Sequence, residues 1–269
     1  MPAIDLARLR KQANRLADFF FLPDDFLKLL RDMLDFYVNR TLRKQENIAP
    51  GSNLPTYHTP PVVMRQIEKE IGALARENPH YALELADLLW DEGYIETRRL
   101  AAFLLGCIPP QEERLLARLT AWTQQVRDPS VRRALLTTSL GRMRKETPDD
   151  FLVVIGEWLH PARQRFWSNG IQALLPMITD PNFDNMPPVY ELVRPVIEAA
   201  PGVLQGDLVN LINALYHASP AETTYYLRQI LENSTNPLAA ATMRRTLAMY
   251  PPGLQAGLRD LVRQKRAAS

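Results

Sequence analysis

Arginines come in pairs along this sequence, and the pairs keep a regular spacing. Arg98/Arg99, Arg132/Arg133 and Arg244/Arg245, with Arg163 and Arg165 between the last two pairs, stand beside comparable apolar stripes. A guanidinium holds its charge at every physiological pH and presents a planar fork of N–H donors that fits phosphate and carboxylate oxygens equally well. A file of such groups is either a ladder, each arginine bonding a carboxylate or turn carbonyl of its neighbour, or a stripe that follows a polyanion. Net charge is only +2, yet residues 94–145 hold ten basic against four acidic side chains. That island leaves both readings open. Arg142, Arg144 and Lys145 belong to it, and cations following Gly141 at a helix end also suit the helix dipole. Arg259, Arg263, Lys265 and Arg266 read as a solvated helix terminus.

Other chemistry is poorly provided for. His58, His80, His160 and His217 are scattered, with none of the spacings by which His, Cys and carboxylates share a metal ion. Glycines never gather into a phosphate-cradling loop. Asp149-Asp150, ahead of Phe151, has the negative charge that favours a helix start rather than the setting of an acid/base couple. Cys107 sits in Phe103-Leu104-Leu105-Gly106-Cys107 and reads as a small buried hydrophobe; a lone cysteine also excludes an internal disulfide. Trp90, Trp122 and Trp158 fall on apolar stripes and are expected in the core. Trp167 follows Arg163-Gln164-Arg165-Phe166 and is either a further core residue or, grouped with the arginines, a lining of the groove. No metal and no small-molecule cofactor is expected.

These groups need a frame, and the frame is helical. Apolar residues recur at i, i+3, i+4 and i+7 in Ala82, Leu85, Ala86 and Leu89, and similar stripes run through Leu100–Cys107, Leu115–Val126, Phe151–Trp158, Trp167–Ile178, Leu204–Leu215 and Leu254–Val262. No alternating β pattern of useful length appears. Most of the 22 prolines stand where a helix would start or stop. Two helices are expected before residue 47, then a Pro-rich connection through Ala49-Pro50-Gly51-Ser52-Asn53-Leu54-Pro55. This divides the chain into an N-terminal helical cap or arm, residues 1–55, and a repeat array, residues 56–269. Arg99 and Arg133 are 34 residues apart, Gly106 and Gly141 35, and Arg133 and Trp167 34. One helix pair per repeat fits that period. Asp128-Pro129-Ser130-Val131 carries an N-cap carboxylate and a proline for the first turn, as the second helix of a HEAT repeat does. The expected fold is all-α: a right-handed superhelical solenoid of HEAT-like helix pairs behind the cap. With no apolar segment of membrane-spanning length and a reduced lone cysteine, a cytoplasmic protein with no membrane partner is expected.

Asn78-Pro79-His80-Tyr81-Ala82-Leu83-Glu84-Leu85-Ala86-Asp87-Leu88-Leu89-Trp90, followed by Glu96-Thr97-Arg98-Arg99-Leu100-Ala101-Ala102, resembles a helix pair of the DNA alkylation-repair glycosylase family. Trp158-Leu159, Arg163-Gln164-Arg165-Phe166-Trp167 and the stretch from Ala214-Leu215 through Pro220 to Leu227 extend the resemblance. It implies a HEAT-like scaffold whose basic concave groove holds duplex DNA. In the family's enzymes an aspartate beside a pair of tryptophans stabilises the cationic alkylbase as it leaves. Laid on that pattern, the helix Asp128–Met143 puts Arg132 at the aspartate position, and a late groove tryptophan falls near Asn213. An arginine there repels the cation that a carboxylate would stabilise. The reading is therefore a non-catalytic HEAT-like protein that binds DNA through Arg98, Arg99, Arg132, Arg133, Arg163, Arg165 and Trp167. Its alternatives are a glycosylase excising alkylated purines and a scaffold for an acidic protein partner.

Overall fold

The computed structural model describes residues 4–38, 54–234, 236 and 238–267, and among them there are helices and no strand. No helix among them is long and apolar enough to cross a membrane. Of the Pro-rich connection, residues 49–53 lie outside the described residues. The chain forms two compact units, Met1–Thr147 and Pro148–Ser269.

The first unit holds α1 (Leu6–Ala17), α2 (Pro23–Phe36), α3 (Pro61–Glu77), α4 (Pro79–Asp91), α5 (Ile95–Leu105), α6 (Glu113–Gln125), α7 (Pro129–Thr137) and α8 (Gly141–Glu146). Proline opens α2, α3, α4 and α7, where its missing N–H costs nothing and its fixed φ is already helical. Asp5 caps α1 by accepting from the Ala7 and Arg8 amides at 2.9 and 3.1 Å. Gly93, at φ +81°, turns the chain after α4 in the left-handed conformation that glycine adopts without strain.

Packing follows the stripes. α1 lies on α3 and α2 on α4, α4 on α5, α5 on α7, and α7 on α6. Their inner faces bury Phe26, Leu30, Ile67, Ile71, Leu83, Leu89, Leu100, Leu104 and Leu135 completely. Each such side chain stabilises the fold by about 1.5–3 kcal/mol relative to exposure. Cys107 is buried among them, and that burial pushes its thiol above the usual range. Polar ties join the layers at the rim: Arg31 of α2 forks onto Glu92, and Arg118 of α6 forks onto Asp87 of α4.

One expected helix is two. Instead of running from Asp128 to Met143, α7 stops at Thr137 and α8 begins at Gly141. The turn between them is pressed onto the end of α5: Ser139 Oγ donates to the Ala102 carbonyl at 2.8 Å, and a Cβ on Gly106 would stand 2.5 Å from the Thr138 carbonyl oxygen. Arg142 consequently sits in the first turn of a short helix and Arg144 in its last turn, rather than beyond the end of a long one. Arg142 donates to the Cys107 carbonyl at 2.6 Å and pairs with Glu146.

The second unit holds α9 (Pro148–Leu159), a 3-10 turn (Pro161–Phe166), α10 (Trp167–Ile178), α11 (Met186–Ala199), α12 (Gln205–Ala218), α13 (Pro220–Asn233), α14 (Leu238–Thr246) and α15 (Pro252–Ala267). α9 packs on α10 and α11, α10 on α12, α12 on α13, α11 on α14, and α15 on both α13 and α14. Ser168 Oγ donates to Asp207 at 2.6 Å, tying α10 to α12, and Tyr226 donates its hydroxyl to the Tyr190 carbonyl, tying α13 to α11.

Candidate nucleic-acid interface

The α5 and α7 arginine pairs occupy the same place in their helices, the fourth and fifth residues. Neighbouring residues on a helix point about 100° apart. The two members of a pair therefore meet different surroundings, and they do different work.

The first member is used internally. Arg98 Nε donates to the Trp90 carbonyl at 3.2 Å, and Arg132 Nη2 donates to the Val126 carbonyl at 3.2 Å. Trp90 is in the last turn of α4 and Val126 is the C-cap of α6, so each arginine supplies a donor to a helix end that has none of its own. Arg245 repeats the device in the second unit, donating to the carbonyl of Ala200, the C-cap of α11, at 2.8 Å. Its pair differs in position: Arg244 and Arg245 lie in the last turn of α14, not near a helix start.

Arg98 is further held by aromatic rings. Its guanidinium carbon stands 4.7 Å from the centre of the Trp90 ring, and Trp90 stacks on Trp122 at 4.2 Å with the planes 2° apart. Burial lowers the Arg98 pKa, while Asp91 and Asp128 favour its charged form. Asp128, only 5% exposed, accepts the Val131 amide at 2.8 Å and the Ser130 hydroxyl at 2.6 Å, as a cap of α7 should. Loss of that cap in Asp128→Ala is expected to destabilise the first unit by about 1 kcal/mol, read as a lower denaturant midpoint with unchanged m.

In the α5 and α7 pairs the second member is free, whereas in the α14 pair the second member, Arg245, is the engaged one. Arg99 and Arg133 are both exposed, and neither forms an ion pair or a side-chain hydrogen bond among the described residues. Arg99 stands within electrostatic reach of Glu68, whose pKa is raised by burial and opposed by Arg99 and Arg65. Arg127, the residue before the Asp128 cap, is likewise exposed without a partner. Unpaired in sequence, it escapes a search for arginine pairs; its place in the basic island is the only signal of it. α5 and α7 pack on each other, so all these cations belong to one region of the first unit.

Arg163 and Arg165 lie in the second unit, on the 3-10 turn and not on a helix start. Both are exposed; Arg163 pairs with Glu157 at 3.1 Å, and Arg165 rests 4.8 Å from the Phe166 ring centre. Trp167 is not a groove residue. It is 1% exposed and donates its indole N–H to the His160 carbonyl at 3.1 Å, so no ring face is open to a base. Trp90, Trp122 and Trp158 are buried, as their stripes require. Asn213, where the family pattern carries a tryptophan, keeps its Oδ1 buried without a hydrogen-bond partner. Among the described residues no three His, Cys, Asp or Glu side chains come together as a metal site.

No curated protein and no solved structure matches the chain. A family model described as DNA alkylation repair enzyme does, over residues 52–248, a span that takes in both arginine pairs of the first unit and the whole of α3 to α14. On that match, the chain belongs to the DNA alkylation repair enzyme family.

Proposed function

We propose that the protein is a non-catalytic HEAT-like solenoid that binds DNA, with Arg99 and Arg133 as its principal phosphate contacts and Arg127 beside them. The observation that carries this is the division of labour within each pair. A purely structural ladder would engage both arginines, whereas Arg99 and Arg133 are left charged, exposed and unpaired on two helices that pack together. Family membership supplies the polyanion. Arg98 and Arg132 position the pairs, and Arg163 and Arg165 are secondary contacts. The repeat spacing and the pairing of α4 with α5 and α6 with α7 support the solenoid.

Anisotropy of labelled duplex DNA over a salt series tests it. Wild type is expected to weaken steeply with salt. Arg99→Glu/Arg133→Glu is expected to bind about a hundredfold less tightly, with the slope of log K against log salt reduced by about 2, since each phosphate contact contributes about 0.9. Lack of wild-type binding at low salt removes the reading. The second reading is favoured by the family's description as a repair enzyme: excision of alkylated purines. Release of free methylated base from N-methylated duplex DNA would establish it and overturn the non-catalytic assignment.

A further inference from the structure

A cleft of about 670 Å³ opens on the second unit, and none of the arginines discussed above lines it. Its walls include Tyr216 at the end of α12 and Thr224, Tyr225, Arg228, Gln229 and Glu232 of α13. The α13 residues recur at i, i+1, i+4, i+5 and i+8, so they share one helical face. It is the face opposite Thr223, Leu227, Ile230 and Leu231, which fill the core. Nothing in the packing of the unit calls for an aromatic on this side, yet Tyr225 is there and 66% exposed.

The remaining tyrosines described in this unit are accounted for. Tyr190 and Tyr226 hydrogen-bond and lie ring to ring at 4.7 Å, and Tyr250 is buried against Thr246. Tyr216 is set by α15: its hydroxyl abuts Gly253, where a Cβ would come within 2.5 Å. Thr224 abuts Gly257 in the same way, at 2.8 Å. These two wall residues are therefore backed by a packed helix. Tyr225 has no ring partner, and Arg228, exposed three residues further on, has no ion pair or hydrogen bond among the described residues.

An open aromatic face beside an unpaired guanidinium is the composition that holds an unstacked base and its phosphate. Gln229 adds an amide to the same wall. We propose that this cleft is a stacking site for an unpaired nucleobase of DNA, with Tyr225 as the platform and Arg228 as the contact to the adjacent phosphate. The choice of nucleic acid rests on the DNA-binding function proposed above; the site itself is distinct from Arg99 and Arg133.

The test uses the full chain and a short single-stranded oligonucleotide carrying the fluorescent base analogue aminopurine, with labelled duplex DNA measured in parallel. Wild type is expected to quench the analogue on binding. Tyr225→Ala is expected to weaken single-strand binding about tenfold and abolish the quench, since one stacked base is worth about 1–3 kcal/mol. Tyr225→Phe keeps the ring and should keep both. Arg228→Gln should weaken binding and flatten its salt dependence, and none of the three should change duplex binding. Unchanged single-strand affinity and quench in Tyr225→Ala, with an unaltered circular dichroism spectrum, overturns the site. So does wild type that binds duplex but no single strand, an outcome that leaves the Arg99/Arg133 reading standing. Single-strand binding that depends on Tyr225 without any duplex binding does the reverse.

Discussion

Glu96→Ala is expected to destabilise the first unit by about 4 kcal/mol and to lower its thermal midpoint by about 10 °C or more. Glu96 is 6% exposed, at the second position of α5, and the described end of the Pro-rich connection is built around its carboxylate. Oε1 accepts from Thr56 Oγ1 at 2.8 Å and from the Thr59 amide at 3.2 Å, while Oε2 accepts from the Tyr57 amide at 3.1 Å. The Ile95 amide completes the seam by donating to the Pro55 carbonyl at 3.0 Å. Alanine removes the acceptor of three donors at once, and donors left dry cost more than a lost contact between exposed groups. The segment they hold is already bent: His58 has φ +52°, a conformation that few side chains adopt without compensation. Tyr57 also depends on it, because it stacks on Tyr94 at 4.4 Å and burial there pushes its hydroxyl up to about 12. Glu96→Gln separates charge from geometry. It keeps one acceptor oxygen but turns an NH2 toward a donor, so about half the loss is expected. Chemical denaturation followed by far-ultraviolet circular dichroism measures both; a Glu96→Ala midpoint within error of wild type would show that the seam contributes nothing.

Gly106→Ala is expected to cost about 3 kcal/mol, a large effect for one added methyl. The penalty does not arise from backbone conformation, since Gly106 has an ordinary helical φ of −69°. It arises from space. A Cβ would lie 2.5 Å from the Thr138 carbonyl oxygen and 3.2 Å from its carbon. Backbone cannot swing aside as a long side chain can, so α5 and the turn after α7 would have to separate. That movement would pull Ser139 from the Ala102 carbonyl. Because α5 and α7 carry Arg99 and Arg133, the variant is also expected to weaken duplex binding by several-fold while leaving the salt slope unchanged. Gly206→Ala is the comparison: nothing lies within 4 Å of its added Cβ, and no loss is expected.

Much of the scaffold was legible in the residues. Helix starts could be read from Pro23, Pro61, Pro79 and Pro129 and from the Asp128 cap, because proline and a short carboxylate act on the first turn alone and need no distant partner. The buried stripes and the core tryptophans Trp90, Trp122 and Trp158 were equally readable, since periodicity of apolar residues is itself the instruction for which side faces in. The candidate interface was legible only as a set of pairs. Sequence places Arg98 beside Arg99 and Arg132 beside Arg133 without distinguishing them.

All-helical structure, its punctuation and the identity of the buried faces were determined by the sequence alone, because each follows from interactions within a turn or two of chain. Tertiary structure decided the rest. Arg98 and Arg132 became internal donors because the ends of α4 and α6 offer them unsatisfied carbonyls, and those ends arrive only when the helices pack. The break between α7 and α8 was decided by the approach of α5 at Gly106, and Trp167 was drawn into the core by a carbonyl seven residues earlier across a 3-10 turn. Arg99, Arg133 and Arg127 stay on the surface: among the described residues the packing gives none of their side chains an ion pair or a hydrogen bond, and only Arg99 lies within electrostatic reach of a carboxylate, that of Glu68.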